Sequence, residues 1–231
     1  MPPSLVIATS VRGAEVWAAP VAFGYAESLR HLSHELDLEI VPPVIGAGAD
    51  NIRTRNRVAA LVLREHPKAT HVLWWDDDQW PADRNVVREM MSSGEDVISA
   101  PYTRKKPPIR WSHVPLNPEP TAVHGRQEVR FVGFGFTMTT RRCLEAMSAA
   151  ARPYSDGCVP TRDIFGMLFD SPVDGAECPH EQQELLSEDY SFCKRWRLLG
   201  GRVVLKLDAG IIYHAGSHAW TARDIPGGVV G

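Results

Sequence analysis

Residues 71–75, His-Val-Leu-Trp-Trp, run without any turn residue into Asp76-Asp77-Asp78. A strand that is apolar on both sides has no face to offer water, so it belongs in a sheet covered by helices above and below. Candidate helices lie on either side of it in sequence. Asp50 or Asn51 caps a helix through Arg64, with Val58, Leu61 and Val62 at helical spacing. Pro81 to Met91 reads as a second helix, its proline in the first turn. Upstream, Leu5-Val6-Ile7-Ala8 reads as a strand, Val21 to Leu36 as a helix and Leu38 to Val44 as a strand; Asp96 to Ala100 follows as a fourth strand. This alternation predicts an α/β fold around a parallel sheet. Ligands of such sheets bind beyond the carboxyl ends of the strands. That rule selects Thr9 to Gly13, Asp76 to Asp78 and Pro101 to Lys106.

The second half reads differently. Tyr102 to Arg126 is irregular and rich in proline and basic residues. Val129 to Met138 has strand composition broken by Gly133 and Gly135, and Arg141 to Ala151 is a helix. Arg152 to Gln183 is long and nearly aperiodic, a pattern typical of functional loops. Ser187 to Leu199 is a helix stopped by Gly200-Gly201, and Arg202 to Leu207 and Gly210 to His214 are the last strands. A chain of 231 residues is expected to form one domain.

Charge and composition exclude several classes. A net charge of −3 argues against a general binder of nucleic acid or acidic membranes. The run Tyr102-Thr103-Arg104-Lys105-Lys106, continuing to Arg110, keeps a local anion site open, with a solvated loop as the plainer reading. The longest apolar runs fall short of a membrane span, and the start lacks the features of a signal peptide, so a cytoplasmic location is expected. The four cysteines are irregularly spaced and are expected to be reduced thiols.

Three adjacent carboxylates repel one another unless a cation or hydrogen-bond donors compensate. Hard oxygen ligands suit Mg²⁺ or Mn²⁺; the plainer alternative is a solvated acidic turn. A nucleoside-triphosphatase would need a Gly-x-x-x-x-Gly-Lys-Ser/Thr loop, which is absent. A phosphoaspartate phosphatase would carry a small residue where this chain has Trp80.

Five stretches in order carry a family resemblance. They are Arg55-Asn56 at a helix head, the strand ending in Asp76-Asp77-Asp78, Gly133-Phe134-Gly135-Phe136, Ser187-Glu188-Asp189-Tyr190, and Tyr213-His214-Ala215-Gly216. The set resembles the nucleotide-diphospho-sugar glycosyltransferases of the GT-A fold, family 2-like and of the Asp-x-Asp type. The resemblance implies one domain over 1–231 with a mixed, mostly parallel central sheet flanked by helices. Its donor-binding half would span about residues 1–105 and its acceptor-side half about 106–220. It implies transfer of a sugar from a nucleoside diphosphate, expected to be UDP, to a hydroxyl acceptor; an Asp base would mean inversion, while retaining members of the fold also place carboxylates nearby.

The same resemblance implies the roles. Asp78 would bind Mn²⁺ or Mg²⁺, Asp76 would lie near the ribose or the metal, and Asp77 could replace either. His214 would add a nitrogen ligand, a donor that favours Mn²⁺. Thr9, Ser10 and Arg12 would hold the base and ribose. Arg53 and Arg55 would meet the diphosphate or the carboxylates, and Lys105 the donor phosphates. Asp189 would be the general base, with Glu188 supporting or replacing it. Those two carboxylates, after the N-cap Ser187, would also stabilise a helix that has no function. The acceptor stays open among a glycan, a protein and a hydroxylated base in modified DNA. Two alternatives stand beside the transferase. A sugar nucleotidyltransferase would want a glycine- and lysine-rich loop where Arg12-Gly13-Ala14-Glu15 stands; the other is a non-catalytic glycan-binding module on the same fold.

Overall fold

The computed structural model describes residues 4–8, 50–76, 78–83, 85–104, 110–117, 122–170 and 183–214. The helix expected over 21–36, the strand over 38–44, and Thr9, Ser10, Arg12, Asp77 and Lys105 lie outside the described residues. In chain order the elements are β1 (Leu5–Ala8), α1 (Asn51–Glu65), β2 (His71–Trp75), β3 (Gln79–Pro81), α2 (Val86–Met91), β4 (Val97–Ser99), β5 (His113–Pro115), β6 (Ala122–Val123), β7 (Arg126–Val132), β8 (Phe136–Thr140), α3 (Arg141–Ala150), β9 (Pro153–Asp156), β10 (Val159–Arg162), β11 (Phe169–Asp170), β12 (Glu184–Leu185), α4 (Glu188–Leu198), β13 (Val204–Lys206) and β14 (Ile212–His214).

The central sheet has the order β1-β2-β8-β4-β13-β7-β5, with β6 also on β7. β1 pairs parallel with β2, and β13 pairs parallel with β4. β8 lies between β2 and β4, antiparallel to both, so β1, β2, β4 and β13 all point one way. The expected mixed α/β sheet, mostly parallel in strand direction and flanked by helices, is therefore present.

Burial alternates along the central strands. Val6, Ala8, Val72 and Trp74 pack on one face with the apolar stripes of α1, α3 and α4. Leu5, Ile7, Leu73 and Trp75 pack on the other face with α2. β2 is thus covered on both sides, as its composition requires. The indole N–H groups are satisfied: Trp74 Nε1 donates to Thr139 Oγ1 (3.0 Å) and Trp75 Nε1 to the Gln79 carbonyl (2.6 Å). Asp50 caps α1 by accepting from Arg53 N–H, and Ser187 caps α4.

Three expectations need correction. Pro81 does not open a helix; it ends β3, and the helix begins only at Val86. The cause is non-local: Gln79–Pro81 pairs antiparallel with Ile212–His214, and Trp80 stacks on Tyr213 with centroids 5.1 Å apart. The stretch 129–138 is two strands, because Gly133 to Gly135 forms a corner between β7 and β8. The aperiodic stretch from Arg152 contains a hairpin, β9–β10. Among the described residues no helix is long and apolar enough to cross a membrane.

β5 carries a titration consequence. Burial pushes the His113 imidazole down to about 4 from an ordinary 6.5. A histidine that resists protonation when folded contributes no pH dependence above the unfolded value. It costs stability as pH falls through the window from 6.5 to about 4, because the unfolded chain takes up the proton first. Urea unfolding midpoints measured between pH 7 and pH 4.5 should therefore fall less steeply in His113→Phe than in the parent. Equal slopes would remove His113 from the acid response.

Candidate active site

Beyond the carboxyl end of β2 lies a cavity of about 640 Å³. Arg55, Asp76, Asp78, Glu188, Asp189 and His214, all selected from the sequence, line it. Its centre is Arg55, whose side chain is only 4% exposed. One guanidinium nitrogen pairs with Asp76 Oδ1 at 3.2 Å, and the other faces Glu188 Oε1 at 3.5 Å and forms an ion pair with Asp189 Oδ1. The guanidinium also lies 5.7 Å from the Phe134 ring centroid. A planar fork suits this multiple pairing better than an ammonium would. One buried cation against three carboxylates, with Asp78 nearby, leaves this wall in excess negative charge.

The Gly133 to Gly135 corner pins the same residues through its backbone. Phe134 N–H donates to Asp189 Oδ2 (3.1 Å), and Gly135 N–H donates to the Tyr102 hydroxyl (3.0 Å). The Gly135 carbonyl accepts from Asp76 N–H at 2.9 Å. A Cβ on Gly135 would sit 1.9 Å from Gln79 Nε2, and one on Gly133 2.2 Å from the Tyr102 hydroxyl oxygen. A side chain at either position would have to displace Gln79 or Tyr102. Burial, assisted by Asp76, raises the Tyr102 pKa, so its hydroxyl stays neutral. Asn51 Nδ2 donates to Glu188 Oε1 (3.2 Å), tying the head of α1 to the head of α4.

His214 meets the acidic strand end from β14. Its Nδ1 lies 2.6 Å from the Thr103 carbonyl oxygen. A carbonyl only accepts, so Nδ1 bears a proton and Nε2 is left to face the acidic strand end. That Nε2 lies 3.4 Å from Asp78 Oδ1. An imidazole nitrogen and a carboxylate oxygen at this distance can share a proton or hold a metal cation between them. A histidine anchored through a backbone carbonyl is the usual arrangement of a metal ligand. Among the described residues no group of three His, Cys, Asp or Glu side chains is gathered into a cage, and Asp76 is turned to Arg55. Asp78 and His214 are a donor pair that could hold a cation.

Arg53 is not brought to this cavity. Its side chain is 65% exposed and pairs with buried Asp156, hydrogen-bonding at 2.6 Å. It lines a separate cavity of about 330 Å³ with Asn56, Tyr154 and Asp163. Several residues of the large cavity escaped individual selection in the sequence: Gln79, Tyr102, Ser112 and Tyr190. The glycines at 133 and 135 were the available signal for the first two, since each marks a side chain pressed onto backbone. Arg104 and Arg110, ends of the basic run, also line the cavity.

No family model matches the sequence, and no curated protein matches it. Solved structures resemble it in fold. A197 from STIV is 17% identical with a TM-score of 0.52, over 93% of this chain and 86% of that one. The catalytic domain of Drosophila beta1,4galactosyltransferase 7, in complex with xylobiose, is 14% identical with a TM-score of 0.48, over 89% of this chain and 66% of that one. A glycosyltransferase involved in the glycosylation of the major capsid of PBCV-1 is 13% identical with a TM-score of 0.34, over 62% of this chain and 63% of that one. Of these three, the likeness to A197 is close enough to establish a shared fold.

Removing the buried cation should be costly. Arg55→Met leaves three carboxylates without the buried cation they share, and a broken buried pair typically costs about 3–5 kcal/mol. Arg55→Lys should recover only part of this, because one ammonium cannot reach all three acids. Equilibrium urea denaturation of both variants measures the effect; a loss below about 1 kcal/mol in Arg55→Met would contradict the buried-hub role.

Proposed function

We propose that this chain is a metal-dependent glycosyltransferase that moves a sugar from a nucleoside-diphosphate donor, a UDP-sugar, to a hydroxyl acceptor. The observation that carries this reading is the Asp78–His214 pair, a carboxylate oxygen and an imidazole nitrogen 3.4 Å apart, in the same cavity as the Asp189 carboxylate. The ordered resemblance to GT-A glycosyltransferases supports it.

Asp78 and His214 would hold Mn²⁺ or Mg²⁺. When bound there, the cation supplies positive charge for the departing diphosphate. Asp189 takes the proton of the acceptor hydroxyl. Arg55 holds Oδ1, which is buried, and Phe134 N–H orients Oδ2, whose remaining lone pair would take that proton. Glu188, held by Asn51 and Arg55, braces the head of α4 beside it. A base on the acceptor side corresponds to direct displacement with inversion. The acceptor is a glycan or a hydroxylated base in modified DNA.

Thermal shift with a panel of nucleoside diphosphates and Mn²⁺ tests the binding half of this reading, since a ligand of the folded state raises Tm. UDP should give a shift that depends on Mn²⁺, and Asp78→Asn should remove the Mn²⁺-dependent part. No shift with any nucleotide would end the reading. For chemistry, Asp189→Asn should lower turnover of the UDP-sugar by about 10²–10⁴-fold while the UDP and Mn²⁺ shift persists. Undiminished turnover would dismiss Asp189 as the base.

A further inference from the structure

Two arginines on the rim of the cavity have no role in the chemistry above. Thr103 bridges Trp111 in antiparallel fashion, and Arg104 N–H donates to the Arg110 carbonyl at 2.8 Å. This short ladder sets Arg104 and Arg110 opposite each other, and both line the cavity. Like charges directly opposed on paired strands are destabilising. Among the described residues neither has a carboxylate partner. Arg55, by contrast, is matched by three acids.

Arg104 is also held in place. Its Nη2 donates to the Tyr190 hydroxyl at 2.8 Å, and its guanidinium lies 6.0 Å from the Tyr190 ring centroid. The Tyr190 ring stacks on Phe131 at 5.0 Å, and its hydroxyl reaches the Ser112 carbonyl at 3.5 Å. Tyr190 follows Asp189 directly on α4. A guanidinium held by Tyr190, the residue after the proposed base, with a second arginine opposite it on the ladder, offers charge-assisted donors to a planar or tetrahedral anion.

We propose that Arg104 and Arg110 form an anion-recognising subsite of the acceptor, so that the acceptor is a saccharide bearing a carboxylate or phosphate as well as the reacting hydroxyl. This deepens the glycosyltransferase reading and rests on it for the word acceptor. A nucleic acid fits less well. Its phosphates require cations spread along a stripe, whereas this pair sits at a cavity that Glu188 and Asp189 also line, in a chain of net charge −3.

The test is binding of the full chain, without nucleotide, to an array of matched neutral, uronic-acid and phosphorylated saccharides, with duplex DNA as a further arm. The charged members should bind and their neutral counterparts should not, and raised salt should weaken binding. The uronic and phosphorylated arms tell which anion is preferred. Arg104→Gln and Arg110→Gln should each weaken charged-saccharide binding by about ten-fold or more, the size of a lost charge-assisted hydrogen bond. Both side chains are exposed, so an unchanged Tm verifies folding. Both variants should also keep the UDP and Mn²⁺ shift. Equal binding of neutral members, undiminished binding by the variants, or no saccharide binding overturns the proposal. A lost UDP shift in the variants overturns it by assigning the arginines to the donor. Duplex DNA binding that the variants lose overturns it in favour of nucleic acid. Absence of the UDP shift in the parent chain strikes only the transferase reading, because the saccharide comparison uses no nucleotide.

Discussion

The guanidinium of Arg55 joins three elements that are distant in sequence. It projects from α1, receives Asp76 from the end of β2, and receives Glu188 and Asp189 from the first turn of α4. Each of those carboxylates would be poorly placed without it. Taking such charges out of water costs several kcal/mol per ion, and the cost is offset only where the partners meet in good geometry. Aromatic rings complete the enclosure, with Phe134 and Phe165 near the guanidinium. The consequence for function is orientation. Asp189 points where it does because Arg55 takes one oxygen and a backbone amide takes the other.

Backbone does as much of this positioning as side chains. The corner from Gly133 to Gly135 directs one N–H to Asp189 and another to Tyr102, and its carbonyl accepts from Asp76. The corner is buried between two core strands, and its backbone groups are spent on these three contacts. Gln79 and Tyr102 can press against it only because two Cβ atoms are missing.

Much of this was legible in the sequence where the signal was local. The apolar run into three aspartates gave a doubly covered strand with its carboxyl end at the cavity, and Ser187-Glu188-Asp189 gave a capped helix start. The choice between Arg53 and Arg55 was readable in principle. Residues two apart on a helix face different ways. Arg55 shares the phase of Val58, Ala59 and Val62, which are buried, while Arg53 does not. What resisted reading was set by distant partners. Pro81 belongs to a strand because residues 212–214 lie beside it, and nothing near Pro81 announces them. Tyr102 sits inside a stretch that reads as irregular and basic, and its burial depends on a corner about thirty residues away.

That same distant pairing controls the cation donors. The register that sets His214 opposite Gln79 is what carries the imidazole to Asp78, since Asp78 precedes Gln79 in the chain. The pair β3–β14 stands outside the central sheet and is short, so few backbone hydrogen bonds hold it. It is reinforced by the Trp80–Tyr213 stack and by the bond from His214 Nδ1 to Thr103. Short, separately paired strands sit at the low end of local stability. A cation shared between Asp78 and His214 would join the residue before β3 to the end of β14. Its binding free energy would then appear as added stability of that strand pair, so that filling the site and completing its architecture are one event.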